Sequence, residues 1–181
     1  MIGVLVSGSG TNLQALIDDG LPIAAVASNV PGVRALERAE QAGIPWAVFP
    51  LEAHATREER DLAMAGWLEE RGVMLVVCAG YMHLLTPAFL ARFPRRVINV
   101  HPSLLPAFPG THSVQDALDA GVAETGVTVH FVDVGVDTGP VVAQEPVRIE
   151  PEDTAETLLE RLHEVEHRLL PRVARELLAS R

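Results

Sequence analysis

Asn99 and His101 stand two residues apart at the end of the apolar run from Val97 to Val100. Alternate residues of a strand share a face, so an amide and an imidazole would project together. Pro102 cannot extend a hydrogen-bonded ladder and favours an extended residue before it. The strand therefore ends here, and in an α/β sheet ligands bind outside the carboxyl ends of the strands. There an amide can polarise an oxygen and an imidazole can move a proton. A polar strand end whose hydrogen bonds are satisfied within the fold has the same spacing. Asp137, in Asp137-Thr138-Gly139-Pro140, is a third candidate. A carboxylate near His101 would hold its ring and favour its charged form, although an Asp-Thr-Gly run is also an ordinary turn. Together, Asn99, His101 and Asp137 suggest acyl transfer without a covalent enzyme intermediate. Ser7 and Ser103 are hydroxyl nucleophiles by type, but neither lies in a nucleophile elbow.

A second site is predicted at Ser7-Gly8-Ser9-Gly10-Thr11-Asn12, between an apolar run and a helical pattern of Leu13, Leu16 and Ile17. A glycine-rich turn opening a helix presents backbone N–H groups to an anion. Leu13 stands where a dinucleotide fingerprint needs its third glycine, and Ser28-Asn29 stands where it needs an acid. A Walker lysine is absent too, so a monophosphate is the economical ligand. A tight turn that merely needs glycine fits the same residues.

The elements that must position these residues alternate. Strands are expected at 2–6, 23–27, 46–49, 73–79 and 97–101, separated by helices at 13–17, 33–42, 56–71 and 87–93. Such alternation implies a parallel sheet with helices on both faces. The later runs 127–132 and 141–149 have no long helix between them, which predicts a mixed C-terminal extension. Asp153-Thr154 caps a last helix from about 155 to 180, with a kink expected at Pro171. The fold class is thus α/β: one Rossmann-like domain over 1–181, with a phosphate-binding half at 1–100 and a second half at 101–181 holding the later strands and the last helix.

Composition limits the chemistry. The 14 basic residues are all Arg, against 24 acids, for a net charge of −10, which argues against a nucleic-acid surface. Without Lys there is no Schiff-base chemistry. Cys78, the single cysteine, sits inside Leu75-Val76-Val77-Cys78-Ala79 and reads as a buried small hydrophobe. No apolar run is long enough to span a bilayer, and the first residues lack the basic region of a signal peptide, so a cytoplasmic protein is expected. No metal site is expected: there is no HExxH. His163 and His167 are four apart, but in a charged helix, where exposure is the plainer account.

The blocks Ser7 to Gln14, Ala79-Gly80-Tyr81-Met82, Asn99 to Pro106 and Asp137 to Pro140 together closely resemble the glycinamide ribonucleotide formyltransferase family, from the first strand to the last helix. The resemblance implies transfer of a formyl group from 10-formyltetrahydrofolate, a co-substrate, to the amine of 5′-phosphoribosylglycinamide in purine synthesis. It implies that Asn99, His101 and Asp137 are catalytic. Gly10, Thr11 and Asn12 would hold the phosphate, with His163 and Glu166 on the ribonucleotide. Arg57, Met82, His83, Leu84 and Leu85, Asn99 and the loop Asp133, Val134, Gly135, Val136 and Asp137 would bind folate. Small-molecule substrates, no metal, no nucleic acid, no membrane, and a monomer or homodimer are implied. Ala107 stands where members often carry a basic residue, and members vary at His83 and Thr138. Two relatives share the catalytic block. Methionyl-tRNA formyltransferase would add a C-terminal domain and a basic surface, and formyltetrahydrofolate hydrolase an N-terminal regulatory domain. A non-catalytic folate-binding module is the reading from another class.

Overall fold

A computed structural model describes residues 1–180. Seven strands form one sheet in the order β3-β2-β1-β4-β5-β6-β7. The first five are β1 (Ile2–Val6), β2 (Ile23–Ser28), β3 (Trp46–Val48), β4 (Leu75–Cys78) and β5 (Val97–His101), and their neighbours pair in parallel. Strands β6 (Glu124–Phe131) and β7 (Val141–Arg148) add in antiparallel fashion, so the expected mixed extension is present. The sheet order steps one way from β1 to β3 and the other way from β4 onward. The carboxyl ends of β1 and β4 therefore open a crevice between them, as doubly wound sheets do.

Strand alternation sends side chains to two cores. Ile2, Val4 and Val6 of β1, Leu75 and Val77 of β4, and Ile98 and Val100 of β5 belong to one. Leu5, Val76, Cys78 and Val97 belong to the other. The first core is covered by α1 (Thr11–Asp18), α2 (Arg34–Gln41), α5 (Ser113–Asp119) and α6 (Ala155–Ala179); the second by α3 (Arg57–Glu69) and α4 (Pro87–Arg92). Both faces being covered explains why the inner strands are apolar throughout.

Helix ends follow their side chains. The Thr56 hydroxyl accepts from the Glu59 amide, and Thr86 caps α4 with Pro87 behind it. Thr154 and Thr157 form a reciprocal capping box at the start of α6. Helix α6 does not end at Pro171; it continues to Ala179. Leu169, Leu170, Pro171, Val173 and Ala174 are all buried there, and that burial outweighs one lost backbone hydrogen bond. The fourth strand is shorter than its apolar run: Val73 lies before it, in the turn after α3, with its side chain under Gly3.

Leu162 is fully buried in the first core. Truncating it to Ala should cost about 2–5 kcal/mol, as for other buried leucines. Chemical denaturation at neutral pH measures this, and a loss below the lower figure would mean that α6 docks loosely.

Candidate active site

Beyond the carboxyl ends of β1, β4 and β5 lies a cavity of about 570 Å³. Residues from both the 1–100 and the 101–181 stretches line it. Among them are the first glycine-rich turn, Met82 to Leu85, Asn99, His101, His130, Asp133, Asp137, His163 and Glu166.

The antiparallel register decides the chemistry at its floor. Asn99 of β5 pairs with His130 of β6, and His101 pairs with Thr128. Asn99 and His101 thus share a face, as their spacing predicts, and His130 joins them from across the ladder. Both imidazoles are buried and each has one nitrogen fixed by a backbone carbonyl. His101 Nε2 donates to Phe108 O at 2.9 Å, and His130 Nδ1 donates to Phe131 O at 2.8 Å. A carbonyl can only accept, so these contacts assign which nitrogen carries hydrogen. The opposite nitrogen of each ring faces Asp137. His101 Nδ1 is 3.4 Å from Asp137 Oδ2, and His130 Nε2 is 3.6 Å from Asp137 Oδ1. Asn99 Nδ2 lies 3.3 Å from His130 Nε2, which leaves its second N–H for the cavity.

Asp137 is held as firmly as the rings. Its backbone takes a left-handed conformation, φ 53°, which aspartate tolerates better than most residues. The Gly110 amide donates to its Oδ2 at 2.8 Å. Gly139 must be glycine, since a Cβ there would lie 1.8 Å from Phe131 O. Within the same loop the Thr138 hydroxyl donates to Asp133 Oδ1 at 2.6 Å and the Gly135 amide at 3.0 Å. Burial pushes the Asp137 carboxyl up, but the His130 hydrogen bond, the Gly110 amide and the two imidazole charges outweigh it and hold it below the usual carboxylate range.

At the nucleotide end, no side chain caps the first turn of α1, and no acid stands in it. Asn12 Nδ2 donates to Glu166 Oε2 at 3.0 Å, tying α1 to α6. Asn12 Oδ1 and the His167 Nε2 are buried without a partner among the described residues. Burial raises the Glu166 carboxyl above its usual range, against the Asn12 hydrogen bond and the His163 charge. His163 is partly exposed at the cavity edge and stacks on His167. The plain expectation of exposure therefore gives way, for His163, to a place in the wall.

The other wall is a polar chain that sequence reasoning did not find. Ser7 Oγ donates to Asn29 Oδ1 at 2.5 Å and accepts from the Met82 amide at 2.9 Å. Asn29 Nδ2 and Arg60 Nη1 both point at His83 Nδ1, at 3.5 and 3.1 Å. Arg60 is wholly buried against Asp61, at 2.6 Å, and Asp61 accepts from the Thr86 amide. Burial, then the Arg60 and Arg57 charges, lower the His83 pKa, so His83 meets the cavity as a neutral ring.

Among the residues marked from the sequence, two are not in the cavity wall. Arg57 is exposed at the start of α3, near enough for its charge to act on His83 and Tyr81. Val134 is 70% exposed and turned outward, unlike Gly135 and Val136 beside it. Cys78 lines the wall, but burial pushes its thiol up to about 12, which leaves no thiolate at neutral pH. Among the described residues no group of three His, Cys, Asp or Glu could hold a metal ion. His130 was missed. Its signal was a polar residue inside the apolar run 127–132, two places from Thr128, and it became readable only once β6 was laid antiparallel on β5.

Comparison with known proteins gives this geometry a lineage. The formyl transferase family model matches residues 1–174. The chain belongs to the formyl transferase family. It is 47% identical over 171 residues to a phosphoribosylglycinamide formyltransferase of Mycobacterium tuberculosis, covering 92% of this chain and 80% of that protein. It is 46% identical over 182 residues to the trifunctional purine biosynthetic protein adenosine-3 of Chironomus tentans, covering 96% of this chain. The chain spans only 13% of that trifunctional relative's length. Among solved structures, the phosphoribosylglycinamide formyltransferase of Streptococcus pneumoniae superposes with a TM-score of 0.94 at 40% identity, covering 98% of each chain.

The His130 contact heads the influences that lower Asp137, so His130→Ala should move the Asp137 titration upward, because the upward push of burial remains. Carbon-13 NMR of the Asp137 carboxyl checks this, and an unmoved midpoint would break the assigned contact. The sign for stability follows. A depressed carboxylate stabilises the fold fully above the ordinary value of about 3.9 and loses that contribution as pH falls through its lower folded value.

Proposed function

We propose that this protein transfers the formyl group of 10-formyltetrahydrofolate to the glycinamide amine of 5′-phosphoribosylglycinamide. The product is 5′-phosphoribosyl-N-formylglycinamide, in purine biosynthesis. The observation that supports this reading is one cavity shared by an uncapped, acid-free helix start and the Asn99–His101–Asp137 cluster. The formyl transferase family match and the names of the related proteins point the same way.

The phosphate monoester sits on Gly10, Thr11 and Asn12, with Glu166 and His163 toward the ribonucleotide. The reduced folate lies along Met82 to Leu85 and the loop 133–137, with Asn99 at the reacting end. Arg57 supplies positive charge from outside the wall. The neutral amine attacks the formyl carbon, and the carbonyl oxygen takes up negative charge. Asn99 offers its spare N–H to that oxygen. His101 offers Nδ1–H when protonated, because its Nε2–H is already given to Phe108. Two preorganised donors in a buried site suit an oxyanion. The C–N10 bond then breaks, and the proton lost by the attacking amine must reach N10. Asp137, facing the free nitrogens of two imidazoles, is the group placed to relay it. The step needs no metal, and every residue in it comes from one chain, so a monomer is competent whether or not it dimerises. The working compartment is the cytoplasm.

Asn99→Ala and His101→Ala should each lower turnover at least ~100-fold, the usual effect of losing one oxyanion donor. Near-normal turnover in either variant would refute the assignment. Formyl-folate consumption should require the ribonucleotide; consumption without it would make the protein a hydrolase, and folate binding with no turnover a binding module.

A further inference from the structure

The anion loop has a back as well as a front. Behind it lies α2, which does not line the cavity. Gly10 has φ 73°, and a Cβ on it would lie 2.6 Å from the Ala35 Cβ. Loop and helix therefore pack backbone to backbone. In that contact the Ala35 amide donates to Gly8 O at 3.1 Å. Arg38, one turn further along α2, donates from Nε to Ser9 O at 2.8 Å and from Nη1 to Gln14 Oε1 at 3.2 Å. Gln14 in turn donates from its amide nitrogen to Asp18 at 2.8 Å, which keeps its oxygen toward Arg38.

These contacts sort the loop's dipoles. The carbonyls of Gly8 and Ser9 are drawn back onto α2, away from the cavity. The uncapped amides that open α1 are left at the front. A carbonyl turned the other way would repel a phosphate; a guanidinium behind the loop attracts it. Arg38 does both things while touching no substrate.

We propose that Arg38 is a positioning residue for the substrate's phosphate monoester, fixing the Ser9 carbonyl backward and bringing a positive charge to the rear of residues 8–12. The proposal rests on the reading of that loop as the phosphate site.

The test uses Arg38→Met and Arg38→Lys in the full chain, with inorganic phosphate as a probe that needs no catalysis. Arg38→Met should raise the KM for the ribonucleotide about tenfold or more, as loss of a charge-assisted hydrogen bond implies. It should weaken phosphate binding in parallel, read as amide chemical-shift changes in residues 8–12. The KM for folate and kcat at saturating nucleotide should change little, and Arg38→Lys should recover part of the loss. Unchanged nucleotide KM and phosphate affinity in Arg38→Met would overturn the proposal. So would a fall in kcat with both KM values rising together, since that marks a general structural role. If phosphate moves no amide of residues 8–12 in the unaltered protein, the phosphate-site reading itself fails. If it does move them, and moves them equally in Arg38→Met, only the role of Arg38 fails.

Discussion

One carboxylate between two imidazoles is the interaction on which the site depends. Asp137 Oδ2 faces His101 and its Oδ1 faces His130, while the far nitrogen of each ring is tied to the backbone. Neither ring can turn without giving up a buried hydrogen bond, and a buried unpaired N–H is costly. The carboxylate therefore meets two fixed nitrogens, and a proton can pass among three groups whose geometry is set before any substrate arrives. Preorganisation of this kind is what makes electrostatic stabilisation effective in a site with little water.

The rest of the fold keeps that arrangement in register. Antiparallel pairing of β6 on β5 brings His130 opposite Asn99. Thr128, one step along, donates to Ser103 O at 2.7 Å and accepts from the Leu105 amide at 3.1 Å, which pins the chain as it leaves β5. Gln144 of β7 reaches both Thr128 and Leu105 O. Phe108 O and the Gly110 amide, which hold His101 and Asp137, lie on that pinned stretch. The antiparallel extension thus builds the catalytic floor, while the parallel part supplies the anion loop and the folate wall.

Much of this was legible in residues alone. Period-two spacing placed Asn99 and His101 on one face, and the alternation of apolar runs gave the parallel sheet. Glycine spacing and the missing third glycine located the anion turn and argued against a dinucleotide. What escaped depended on contacts distant in sequence. His130 needs the β5–β6 register, which a 22-residue connection between His101 and Glu124 separates from any local signal. The chain from Ser7 through Asn29 and His83 to Arg60 joins four segments that no spacing links. Pro171 reads locally as a kink because propensity cannot weigh the buried face on both sides of it. Val134 and Arg57 show the limit of transferring positions: both are near the site, and neither side chain lines it.

The most direct test of the central claim is a crystal structure with the ribonucleotide and a non-reactive formyl-folate analogue both bound. The account predicts Asp137 within hydrogen-bonding reach of both His101 Nδ1 and His130 Nε2. It also predicts the analogue's carbonyl oxygen on Asn99, and the amine about 3–3.5 Å from the acyl carbon. Both ligands in place with Asp137 turned away from the two rings, or with the carbonyl oxygen remote from Asn99 and His101, would contradict it.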